Sequence, residues 1–207
     1  MQFESGHLYH IYNRGNNSQK IFFNRENSLF FLKKIRQYVS PYTDILAWVL
    51  MPNHFHLMVY VKSVVIDVAK FNTETLTKSE SLSIKPRYRS FNDSIGIMLR
   101  TYARAIQKQE QYVGSLFQEH TKAACLTKPE DISFSWFCED YELQDNLMND
   151  HEGYVDVCFQ YIHENPVKAR LCGQAVDWEF SSAPDYFGNR TGKLINRGRA
   201  KEFGLIF

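Results

Sequence analysis

The chain has 207 residues, enough for one domain with a full hydrophobic core or one domain carrying an insert. Its net charge of +1 conceals a basic stretch from Lys78 to Lys108, an acidic one from Glu130 to Asp156 and a second basic one from Phe187 to Lys201. Two basic regions thus flank an acidic one, which keeps nucleic acid open as a partner. The cysteines Cys125, Cys138, Cys158 and Cys172 are too widely spaced for a CxxC zinc site and read as reduced thiols of a cytosolic protein. No signal region and no apolar run of membrane-spanning length is evident, so the expected location is the cytoplasm, without membrane contact.

In chain order, His7 to Asn13 is aromatic and apolar and ends at the turn cluster Arg14-Gly15-Asn16-Asn17, which predicts a first strand. Asn24 is a candidate N-cap for a helix to about Val39, with Leu32, Ile35 and Val39 as its apolar stripe and Pro41 as its stop. Thr43 to Leu50 predicts a second strand. Met51-Pro52-Asn53 then forms a tight connection into a histidine-bearing strand that extends to Tyr60, giving an antiparallel hairpin. Residues 63–90 start apolar, become rich in Ser, Thr and Lys, and end on the basic run Lys85-Pro86-Arg87-Tyr88-Arg89, the pattern of a flexible excursion.

Asn92 or Asp93 is the expected cap of a strong helix with Ile95, Leu99, Tyr102 and Ile106 at helical spacing. Arg100, Arg104 and Lys108 form a basic stripe on it, either a solvated face or a phosphate contact. Tyr102 among them and the basic loop upstream favour the second reading. A last strand is expected from Ala123 to Leu126. A further helix is expected from about Asn149 to about Glu164, and Tyr161 and Asn165 share a face one turn apart. Strands and helices mix without regular βαβ alternation, so the expected class is α+β, a small antiparallel sheet flanked by helices.

Chemistry concentrates in two places. His54 and His56 alternate with Phe55 on a strand, so both imidazoles face one way and can offer nitrogen ligands to one divalent cation. A lone strand histidine is more commonly a half-buried polar residue, and a helix tyrosine is more commonly core than nucleophile. An amide one turn from Tyr161 changes both readings. Asn165 can join two imidazoles around a metal and hold a phenol beside a bound phosphate.

The blocks Tyr9–Gly15, Ala47–Leu57, Leu116–Gln118, Tyr161–Leu171 and Trp178–Ser182 resemble the single-tyrosine HUH transposases, in the subgroup of REP-associated tyrosine transposases. The resemblance implies a ferredoxin- or RRM-like fold over residues 1–188, with an acidic insertion near 127–149 and a basic tail at 189–207. It implies His54, His56 and Asn165 as ligands of Mg²⁺ or Mn²⁺, with Tyr161 as the nucleophile. The implied reaction cuts and rejoins single-stranded or hairpin DNA through a 5′-phosphotyrosine, at the bacterial nucleoid, in a monomer or homodimer. Lys85, Arg87, Arg89, Arg100, Arg104 and Lys108 are the expected DNA contacts. Two other readings stand beside it: a nucleic-acid binder that does not cut, and a metal-dependent hydrolase of small phosphoesters. The acidic stretch could be a lid, an interface or an autoinhibitory element. His163 should point away from the site, and Glu119 and His120 are at most peripheral to it.

Overall fold

The structure, a computed structural model, describes residues 2–71, 85–128 and 151–205, and all but the first two residues of the expected acidic insertion lie outside them. Largely apolar runs, buried on both faces, build β1 (Leu8–Arg14), β2 (Thr43–Met51) and β3 (His54–Val61), and β6 (Lys122–Cys125) completes a four-stranded antiparallel sheet of order β2-β3-β1-β6. With α1 (Arg25–Tyr38) between β1 and β2, and α2 (Phe91–Gln109) between β3 and β6, the order is that of a ferredoxin-like βαββαβ unit. The class is therefore α+β, as expected.

Local signals set the helix ends. Asn24 caps α1 by accepting the Asn27 amide at 3.0 Å. The cap of α2 is Ser90, not Asn92 or Asp93: the Ser90 hydroxyl accepts the Asp93 amide at 3.1 Å and donates to the Asp93 carboxylate at 2.7 Å. The Ser90 hydroxyl is thus held by both the backbone and the side chain of Asp93. Residues 63–90 are more ordered at their ends than expected. β4 (Val65–Asp67) pairs with β5 (Tyr88–Ser90), because strand formers stand on both flanks, while residues 72–84 lie outside those described.

The sheet has two covered faces. On one, Ile11, Leu50, Phe55, Leu57 and Val59 meet α1 and α2 in an aromatic-rich core. Phe31, unassigned in the expected α1 stripe, is fully buried there and meets Tyr102 edge to face at 4.8 Å. Its truncation to Ala should cost about 3–5 kcal/mol. On the other face, Leu8, Val49, Met51 and Met58 receive α3 (His151–Lys168) through Val155, Cys158, Phe159 and Ile162. A register shift between Ile45 and Ala47 sends Ile45 to the first core while Leu46 and Ala47 both join the second.

α3 runs past its expected end at Glu164. Pro166 removes one N–H, but Ala169 still donates to the Asn165 carbonyl at 3.0 Å, so the last turn holds and Lys168 stays helical. The segment after Trp178 lies along the free edge of β2: Leu50 donates to the Phe180 carbonyl, Ser182 to that of Trp48, and Asn196 to that of Ile45. Beyond residue 188 the basic segment packs inward, with Ile195 against the first core and Ala200 and Leu205 in the second, around α4 (Arg197–Glu202). Among the described residues, no helix is long and apolar enough to cross a membrane.

Candidate active site

The turn after β1 fixes the start of β3. Gly15 donates to the Asn53 carbonyl at 2.7 Å, and Ile21 to that of Pro52 at 2.8 Å. A Cβ on Gly15 would stand 2.1 Å from the Gln19 carbonyl oxygen, so only glycine lets the chain after β1 fold back on itself so closely. Asn53 is held in turn, its amide nitrogen donating to the Ser18 carbonyl at 3.3 Å, which leaves its side-chain oxygen 2.6 Å from Nδ1 of His54.

That contact suits the tautomer of His54 with its proton on Nδ1, donated to Asn53, which leaves Nε2 with a lone pair. Facing it at 3.1 Å is Oδ1 of Asn165, oriented by its own amide nitrogen, which points to the Tyr161 carbonyl at 3.5 Å. In that tautomer two acceptors face each other, whereas in the other Nε2 donates to the Asn165 oxygen. Ligand atoms at right angles on an octahedral cation, with bonds of ~2.1 Å, lie ~3.0 Å apart, so this pair fits a divalent ion. Among the described residues no group of three or more His, Cys, Asp or Glu is gathered to hold a metal.

His56 lies beneath, on the same face as His54, with the rings edge to face at 5.0 Å. It is buried, and its Nε2 has no hydrogen-bond partner among the described residues. Burial first, then the neighbouring His10, His54 and Arg14, push its pKa well below the ordinary histidine range. A neutral imidazole with an unpartnered Nε2 suits a metal ligand. The half-buried Tyr161 stands with its ring 5.3 Å from that of His56.

Tyr161, His54 and Asn165 line one cleft of about 600 Å³. Arg14, Lys20 and Lys168 line it too and, among the described residues, no carboxylate does, so their field favours an anion. The Lys168 ammonium lies 6.0 Å from the centre of the Tyr161 ring. The expected quartet therefore comes together, with His56 below the cleft wall and the other three on it.

Of the expected DNA contacts, Arg100 and Arg104 line a groove of about 380 Å³ with Asn13, Gln118 and Thr121. Gly96 leaves room for the Arg100 guanidinium to fold back along α2; a Cβ there would lie 3.2 Å from it. Lys108 is exposed one turn on. Asn13 and Arg14 are consecutive on β1, so groove and cleft occupy opposite faces at the same end of the sheet. Lys85, Arg87 and Arg89 are elsewhere. Their hairpin follows the far end of β3, where Phe91 donates to the Val64 carbonyl, and the eight residues of β3 span roughly 23 Å at ~3.3 Å per residue.

His163 points away, its Nε2 2.7 Å from the Ser182 hydroxyl, and Glu119 and His120 are exposed and absent from the cleft wall. His10, Asn53, Arg14, Lys20 and Lys168 were not expected at the site from the sequence. For His10 a signal existed: it alternates with Tyr12 and Arg14 on one face of β1, the face that meets His56 once β1 pairs with β3.

No family model and no curated protein sequence matches the chain. Among solved structures it is similar to a REP-associated tyrosine transposase bound to a REP hairpin, with a TM-score of 0.51 and 14% identity over 95% of this chain and 92% of that one. At that identity the likeness shows a shared fold.

Proposed function

We propose that the chain is a divalent-metal-dependent transposase-like enzyme that cleaves and rejoins single-stranded DNA beside a hairpin, with Tyr161 as the nucleophile. The observation that carries this reading is the convergence of Tyr161, His54 and Asn165 on one cation-lined cleft. The shared fold with a transposase bound to a hairpin supports it.

In this reading His54, His56 and Asn165 hold the ion, which by its nitrogen ligands is Mn²⁺ as readily as Mg²⁺. When bound, the ion supplies positive charge beside the phosphate oxygens as negative charge grows there. Arg14, Lys20 and Lys168 seat the strand's phosphates. The Tyr161 oxygen attacks phosphorus: the O–P bond forms, the bond to the 3′ oxygen breaks, the phenolic proton goes to solvent, and the 3′ oxygen takes a proton from solvent and leaves as a hydroxyl. Phenols ionise near pH 10, so the cations around Tyr161 assist by favouring the developing negative charge. The phosphotyrosine conserves the bond, and a new 3′-hydroxyl can reverse the step without ATP.

The test is a pool of single-stranded oligonucleotides with a constant hairpin and randomised flanks, incubated with the full chain and Mn²⁺. An SDS-resistant adduct that maps to Tyr161 and vanishes with EDTA is the expected result. Tight hairpin binding with no adduct under any divalent cation would instead make the chain a binder that does not cut.

A further inference from the structure

Each of the two strand histidines is held from behind at Nδ1, His54 by Asn53 and His56 by a third histidine, His10. His10 is fully buried, and its Nε2 lies 2.8 Å from Nδ1 of His56. Tyr12 is the direct cross-strand partner of His56, and His10 stands diagonal to it on the same face. The rings are inclined by only 21° with centroids 5.0 Å apart. The nitrogen separation plus two ring radii accounts for that spacing, so this is an in-plane N–H···N bond rather than a stack.

We propose that His10 is a positioning residue, which fixes His56 as the tautomer protonated on Nδ1 and so turns the Nε2 lone pair toward the cation. The inference rests on the metal reading of the site above. One proton lies between the two nitrogens, since at 2.8 Å one must donate and the other accept. If His10 donated it, His56 would carry its own proton on Nε2 and have no lone pair there to offer a cation. If His56 donates it, Nε2 is free to bind metal. His10 accepts that proton from His56 as Asn53 accepts the one from His54, and both imidazoles present the same nitrogen.

Two variants separate this role from simple core packing. His10→Gln keeps an acceptor oxygen near the Nε2 position, whereas His10→Phe keeps an aromatic ring and removes the acceptor. Mn²⁺ affinity, measured by calorimetry on the full chain without DNA, should fall 10- to 100-fold in His10→Phe and stay within a few-fold in His10→Gln. Equal affinities in His10→Phe and the wild type would overturn the proposal. If the wild type itself binds no Mn²⁺, the metal reading has failed first. Long-range ¹H–¹⁵N spectra of the wild type read the tautomer directly, even where His10→Phe fails to fold. They should show the His56 proton on Nδ1 with Zn²⁺ added as a diamagnetic probe. A proton that stays on Nε2 would overturn the proposal.

Discussion

The His163 imidazole and the Ser182 hydroxyl meet at 2.7 Å, tying the helix that carries Tyr161 to the segment along β2. Ser182 continues the link, accepting the Trp48 amide at 2.9 Å. Burial holds the His163 pKa down to about 3, against about 6.5 in the unfolded chain. The folded protein therefore binds fewer protons than the unfolded one between those values. The stability that neutral His163 contributes is complete above pH 6.5 and is lost as the pH falls toward 3. His163→Gln preserves polar contact without titrating. Urea unfolding between pH 6 and pH 4 should show its stability falling less steeply, by up to about 1.4 kcal/mol per pH unit. An unchanged slope would mean that His163 titrates alike in both states.

Asn165→Ala removes the oxygen that faces His54 and should weaken Mn²⁺ binding at least tenfold with little change in melting temperature. Asn165→Asp keeps the oxygen and adds charge, so it should bind at least as tightly and favour Mg²⁺ more than the wild type does. Calorimetric titration with both ions checks the pair. Wild-type affinity in the Ala variant would remove Asn165 from the ligand set.

Tyr161→Phe should bind hairpin DNA and Mn²⁺ like the wild type and form no covalent adduct. The nearest rival on α3, Tyr154, is 8% exposed and packed in the second core, away from the cleft. Peptide mapping of an adduct to Tyr154, or adduct formation by Tyr161→Phe, would refute the assignment.

Arg100 and Arg104 share the sheet end of the cleft, and the hairpin carrying Lys85, Arg87 and Arg89 does not. The double variant Arg100→Glu, Arg104→Glu should weaken single-stranded DNA binding and lower the log–log salt slope by roughly 0.7 for each phosphate no longer neutralised. Reversal of Lys85 and Arg87 should change both less. Fluorescence anisotropy over a salt series distinguishes the two, and the opposite ranking would move the DNA path to the far end.

The elements were legible where a local period or cap announced them. The β2–β3 hairpin, the Asn24 cap and the one-turn spacing of Tyr161 and Asn165 all follow from neighbours in sequence. What stayed hidden depends on register between distant strands. His10 meets His56 only because Tyr12 falls opposite His56, a pairing that no window around either residue contains. Lys168 was hidden for another reason: Pro166 reads as a stop, yet a proline in the last turn removes only one hydrogen bond. The basic residues after 188 read as a tail by charge, while Ile195, Ala200 and Leu205, which pack inward, are too sparse to show a period.

The bonds from Phe180, Ser182 and Asn196 along β2 also bear on self-association. An uncovered β2 would offer unpaired amides and carbonyls from a strand whose residues are nearly all buried, a template for another chain. The closing segment supplies those partners within the same molecule. A chain cut after Gln174 would keep Tyr161, His54, His56 and Asn165 and yet expose that edge. Its failure would include concentration-dependent aggregation through that edge.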